Sequence, residues 1–161
     1  MANTSDGIMF APSPCDASRS TLLLIDLQQR LMPAIHDHAA VLRHAHILAQ
    51  AAKLLQVPAL ATAQNPERLG ANDARIAALC ARVIDKMAFD ASAETALIDA
   101  LDPSHDIIIA GCEAHVCVLQ TVLGLRARGW KVKAVADAIG SRAPASKDAA
   151  IMRMQAAGAD V

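Results

Sequence analysis

The stretch that decides the fold runs from Asp106 to Ala136: DIIIAGCEAHVCVLQTVLGLRARGWKVKAVA. It opens on an apolar run, Asp106–Ala110, and turns at Gly111. Apolar residues then recur at helical spacing from His115 to Arg128, Gly129 stops the helix, and a second apolar run follows at Lys131–Ala136. Strand, helix and strand of these lengths form one right-handed crossover between parallel neighbours.

The same rhythm extends outward. Thr21–Ile25 is a continuous apolar run ending in Asp26, as expected of a strand buried on both faces. Ala39–Leu55 reads as a helix, Ala59–Ala63 as a strand, and Gln64–Gly70 as a loop marked by Asn65-Pro66 and Gly70. Asp73–Ala81 reads as a short helix, Arg82–Lys86 as a short strand, Ala93–Leu101 as a helix and Ala145–Ala157 as a last helix. Alternating helices and buried strands predict an α/β fold, a three-layer α/β/α sandwich around a mostly parallel, Rossmann-like sheet. Residues 1–19 carry Ser, Pro, Asn, Asp and Gly without periodicity and read as a flexible N-terminal arm; residues 20–161 read as one domain. After the last helix the rhythm calls for one more edge strand, which the sequence does not supply.

A composition 54% hydrophobic and 19% charged excludes disorder for most of the chain. A net charge of −1 gathers neither nucleic acid nor anionic lipid, which leaves a small molecule as the expected partner. No apolar run reaches the roughly 20 residues that cross a bilayer. Cys15, Cys80, Cys112 and Cys117 are unevenly spaced and follow no export signal, so reduced thiols and a cytoplasmic location are expected.

In an open parallel sheet, ligands sit beyond the carboxyl ends of the strands. Asp26, Lys86 and Cys117 fall at or just past such ends. Singly, each has a plainer reading: a turn residue, a solvated amine, a packed thiol. Cys117 differs because it lies in the first turn of its helix, where free N–H groups and the helix dipole favour an anion. A nearby lysine would add to this, so the thiol is expected to be acidified into a nucleophile.

These residues resemble those of the isochorismatase-like cysteine hydrolases. The resemblance lies in Ile109–Thr121 (IAGCEAHVCVLQT), in Leu24–Gln28 with its Asp-x-Gln, in Asp85–Phe89 with its lysine, and in Val135–Arg142. The phrase Glu-x-His-Val-Cys-Val-Leu-Gln-Thr is nearest to the isochorismatase domain-containing branch. The resemblance implies that Asp26 takes the proton of Cys117, that Lys86 balances the charge, and that the thiolate forms a thioester with a small amide-like substrate. It further implies an oxyanion site made by the backbone N–H groups of Glu113 and Cys117, a cis Cys112–Glu113 bond, and homo-oligomers. Gln28 is expected to orient Asp26, and Gln28, Gln64 and Phe89 to contact substrate. The Asp-x-His metal segment of the nicotinamidases has no counterpart in Gln64–Gly70, so no metal or other cofactor is expected.

Other features carry less. His36, His38, His44 and His46 form two pairs spaced by two, which on a helix point to different faces and cannot chelate together. His115 is two residues from Cys117 and is expected to face elsewhere; Trp130 reads as a packing or subunit-contact residue. The Glu113 carboxylate either shapes the pocket or contacts a neighbouring loop. Two readings stand beside the hydrolase: a non-catalytic oligomeric or ligand-binding protein, and a redox protein pairing Cys112 with Cys117.

Overall fold

The computed structural model describes residues 13–161. Five strands form one wholly parallel sheet in the order β3-β2-β1-β4-β5, with β1 (Ser20–Ile25) at its centre. The others are β2 (Ala59–Gln64), β3 (Arg82–Lys86), β4 (Asp106–Cys112) and β5 (Val132–Gly140). Among the described residues six α-helices connect or cover them: α1 (His38–Leu54), α2 (Pro66–Leu69), α3 (Ala74–Ala77), α4 (Thr95–Ile98), α5 (Leu119–Ala127) and α6 (Pro144–Ala156).

The central strand explains the layers. Successive strand residues point to opposite faces, so Leu23 and Ile25 enter one apolar cluster with Val118, Val122, Leu125 and Met154, while Leu22 and Leu24 enter another with Val41, Ala45 and Ala49 of α1. These four apolar side chains of β1 are essentially sealed from water. Each contributes roughly 1.5–3 kcal/mol by burial. The small side chains of α1 on its inner face, Ala45, Ala49 and Ala52, let that helix lie close against the sheet.

Several expected boundaries change. Within Gln64–Gly70, expected as a loop, Pro66 opens the single turn α2; proline suits a first helical position, where its missing N–H has no partner to lose. The helices expected over 73–81 and 93–101 each contract to one turn of α-helix, the second preceded by a 3-10 turn at Ala91–Ala93. β5 continues to Gly140, past the exposed Asp137, where its register against β4 shifts between Ile109 and Gly111.

Of the N-terminal arm, residues 1–12 lie outside the described residues. The remainder is tied to the fold: Asp16 caps a 3-10 turn at Ala17–Arg19, and the Lys133 Nζ donates to the Ser13 carbonyl at 2.6 Å. At the other end Asp160 pairs in parallel with Lys133 of β5, its N–H reaching Val132 O at 2.9 Å. Among the described residues no helix is long and apolar enough to cross a membrane.

Candidate active site

Asp26 follows directly on β1 and takes a left-handed conformation, φ +50°. Its carboxylate settles between β1 and β2, fully buried. Thr62, the register partner of Ile25 on β2, donates its hydroxyl to Asp26 Oδ1 at 2.7 Å. Lys86, the last residue of β3, brings Nζ to 2.7 Å from Asp26 Oδ2, and neither side chain is exposed. Lys86 Nζ also donates to Gln64 Oε1 at 2.8 Å and to the Ala88 carbonyl at 3.3 Å. Oδ2 is thus buried and charge-paired with the Lys86 ammonium.

The nucleophile segment crosses from the neighbouring strand. β4 can reach β1 closely because Gly111 (φ +126°) has no side chain: a Cβ there would collide with the Ile25 carbonyl. The Cys112–Glu113 peptide is cis, as the resemblance implies. The chain then enters a π-helical turn, Ala114–Val118, in which Val118 N–H reaches back to Glu113 O at 3.2 Å before α5 begins. Cys117 sits in this turn. One cavity of about 270 Å³ is lined by Asp26, Gln64, Phe89, Glu113 and Cys117, together with Leu31, Leu69, Val116 and Arg142. Lys86 stands behind it and meets it through Asp26 and Gln64.

A family model described as the isochorismatase domain matches residues 20–161. The chain belongs to the isochorismatase family. It is 33% identical over 141 residues to isochorismatase domain-containing protein 2A of Mus musculus, covering 87% of this chain and 68% of that one. A solved MAR1 ribonuclease of Caenorhabditis elegans is 31% identical and superposes with a TM-score of 0.88 over 92% of this chain and 79% of its own. The YcaC gene product of Escherichia coli, an octameric hydrolase of unknown specificity, superposes with a TM-score of 0.86 over 94% of this chain and 78% of its own, at 24% identity.

In this isochorismatase-family chain the thiol does not follow the sequence-based expectation of an acidified cysteine. Burial, reinforced by the Asp26 charge and by a hydrogen bond to it, pushes Cys117 up to about 12, against the opposing pull of Lys86. The magnitudes say why. A helix terminus contributes about 0.3–1 kcal/mol, under one pK unit, whereas burial can shift a group by about 3–5 units. With Asp26 holding the negative charge opposite Lys86, the sulfur remains a neutral thiol.

Gln28 also departs from its expected role. Its N–H donates to the Asp26 carbonyl at 2.9 Å, but its side chain neither lines the cavity nor bonds the Asp26 carboxylate, which Thr62 holds instead. The Gln28 amide is consumed in knitting β2 to the following loop: Oε1 accepts from Gln64 N–H at 2.8 Å, and Nε2 donates to Gln64 O at 3.0 Å and Gly70 O at 2.7 Å. Gln64 does line the cavity, with its own Nε2 donating to Met87 O at 2.8 Å. Phe89 stands at the mouth, more than half exposed.

Besides the apolar Leu31, Leu69 and Val116, two polar residues given no role in the sequence join the site. Thr62 is one; Arg142 is the other. Arg142 Nη2 and Nε donate to the two Glu113 carboxylate oxygens at 2.8 and 3.0 Å, and Arg142 N–H adds a third bond at 3.2 Å. The Glu113 carboxylate therefore clamps the loop after β5, and these donors outweigh its burial to hold its carboxyl below the usual range. His115 faces away from the thiol, with Nδ1 at 2.9 Å from Ser141 Oγ. Cys112 belongs to the α1-side cluster and Cys117 to the opposite one, so the two thiols lie in different layers and the expected redox pairing is not supported. Trp130 packs against the cluster that holds Cys117 and donates Nε1–H to Asp102 O at 3.3 Å.

Proposed function

We propose that this chain is a cysteine hydrolase acting on a small amide-like C–N substrate through a thioester on Cys117. The observation that carries this reading is the buried Asp26 carboxylate, which shares one cavity with the Cys117 thiol and is hydrogen-bonded to it. In such a site the base and the proton it takes are already in contact, and the thiol need not be ionised beforehand. As sulfur attacks the carbonyl carbon, its proton passes to Asp26. The Glu113 and Cys117 N–H groups receive the oxyanion. Asp26 then gives the proton to the departing nitrogen, and the carbon–nitrogen bond breaks. Water attacks the thioester with Asp26 again as base, releasing the acid and restoring the thiol. Lys86 Nζ stands 2.7 Å from Asp26 Oδ2 and holds the carboxylate in place. These steps call for no cofactor.

All four cysteines are unpaired, which suits the cytoplasm. Ile47 and Leu54 of α1, and Leu55 just after it, are exposed apolar residues, which suits a homo-oligomer, measurable by light scattering. The net charge of −1 offers no general attraction for RNA, so the ribonuclease name of the nematode relative is not carried over. The test is intact-protein and peptide mass spectrometry after exposure to a library of small amides. An acyl adduct confined to Cys117, lost in Cys117→Ala together with turnover, is expected. Absence of any adduct and any turnover across the library would favour the non-catalytic member of the fold.

A further inference from the structure

We infer that Arg142 is a positioning residue: by gripping the Glu113 carboxylate it fixes the backbone N–H of Glu113 as the receiver of the oxyanion. This rests on the cysteine-hydrolase reading above.

The sheet brings the two residues together. Cys112, the last residue of β4, is the register partner of Gly140, the last residue of β5. Glu113 follows the first and Arg142 lies two residues past the second, so both leave neighbouring strands at the same end. Arg142 Nη2 and Nε meet the two carboxylate oxygens at 2.8 and 3.0 Å, and its backbone N–H adds a bond at 3.2 Å. A guanidinium fork on a carboxylate fixes direction as well as distance. One residue earlier in the same loop, the Oγ of the buried Ser141 meets His115 Nδ1 at 2.9 Å. The turn that carries Cys117 is thus tied to the loop after β5 through both Glu113 and His115.

What these ties hold still is a backbone donor. Glu113 is buried, it lines the cavity with Cys117, and its N–H has no acceptor among the described residues. Buried N–H groups are nearly always paired, so an unpaired one beside a nucleophile is a donor ready for a reacting oxygen. Its direction is set from both sides: Cys112 is sealed within the sheet, and the Glu113 side chain is locked to Arg142. Turning the donor away from the cavity moves the Glu113 Cα and breaks the fork. The same donors hold the Glu113 carboxyl below the usual range, so the grip stays charged at neutral pH. The Arg142 side chain is 61% exposed and its Nη1 is uncommitted, so direct contact with the substrate is the competing role.

The test uses two small neutral probes of Cys117 on the intact chain. With p-nitrophenyl acetate the sulfur attacks the acetyl carbon and the S–H proton passes to Asp26. The carbonyl oxygen becomes an oxyanion before the C–O bond breaks and p-nitrophenolate leaves. With iodoacetamide the sulfur displaces iodide from a saturated carbon, and no oxyanion forms. Nitrophenolate release and the mass of the Cys117 peptide give the two rates. In Arg142→Met the ratio of acylation to alkylation is expected to fall by about 10- to 100-fold, because a displaced oxyanion donor approaches the cost of a missing one. Glu113→Gln keeps the N–H but weakens the fork, and is expected to lower the ratio in the same direction; Arg142→Lys is expected to lie between Arg142→Met and the parent. A ratio unchanged in Arg142→Met and Glu113→Gln would overturn the inference and leave the hydrolase reading standing. Both rates holding would assign Arg142 to the substrate's far end, and both falling together would assign it to the fold alone. No acylation of Cys117 in the parent chain would overturn both the inference and the hydrolase reading.

Discussion

Asp26→Asn should make Cys117 more reactive toward an alkylating agent while abolishing hydrolysis. The buried site contains one cation, Lys86, and one anion, Asp26, in contact at 2.7 Å. Asparagine keeps the shape of the side chain and an oxygen for the Thr62 hydroxyl, but removes the anion. The group then left to face the ammonium with a removable proton is the Cys117 thiol, now at about 12. A like charge at this range raises an acid by about 1–3 units, so its removal increases the thiolate population roughly 10- to 1,000-fold near pH 8. Since the thiolate is the reacting species, iodoacetamide incorporation at the Cys117 peptide should accelerate by a comparable factor, with the exposed Cys15 as internal standard. Turnover should fall because the proton acceptor is gone. If labelling of Cys117 stays the same or slows while circular dichroism shows the fold intact, the Asp26 charge does not govern the thiol and the reasoning fails.

Lys86→Met should destabilise the chain by about 3–5 kcal/mol, because it leaves the Asp26 charge buried without its partner. Urea unfolding measures this, and a loss below about 1 kcal/mol would contradict the pairing. Stability should also fall at alkaline pH. Cys112 and Cys117 are both pushed up to about 12 in the fold, whereas unfolded thiols ionise near 8.5. The unfolded state therefore sheds protons first, and each thiol removes about 1.4 kcal/mol per pH unit between about pH 9 and 11. Replacing Cys112 with Ala should lower that slope by one thiol's share, measured as unfolding free energy against pH. Finally, Gln28→Met should cost about 2–4 kcal/mol, since it strands the Gln64 N–H and two carbonyl acceptors. A variant as stable as the parent would show that these bonds are replaceable.

Much of the fold was legible because its strands are continuous apolar runs. β3 begins and ends where the sequence places it, and β1 and β2 differ by one residue at an end. What the string concealed lies where tertiary contact overrides local pattern. β5 passes straight through Asp137, which reads as a stop, because the strand is exposed on that stretch and the polar side chain costs nothing there. Thr62 was missed because a threonine inside Ala59-Leu-Ala-Thr-Ala63 looks like ordinary strand filling. The signal that identifies it is register: it lies opposite Ile25, one residue before the acid. Arg142 fell within a matched segment but shows its partner, Glu113, only when β4 and β5 lie side by side. The acidity of Cys117 went in the wrong direction because helix position is readable from sequence and depth of burial is not.

The absent side chain at Gly111 sets a limit on how this molecule can be altered. β4 and β1 touch there through their backbones, Gly111 facing Ile25, and the residues flanking that pinch are Cys112 on one strand and Asp26 on the other. The Asp26 base and the segment that leads from Cys112 to the Cys117 nucleophile thus leave the sheet side by side from a backbone contact. A designer who randomises Leu31, Leu69, Val116 and Phe89 therefore works on parts that can be exchanged without moving the reacting atoms. Any bulk added at position 111 pries those atoms apart, and no rearrangement of the outer walls can bring them back.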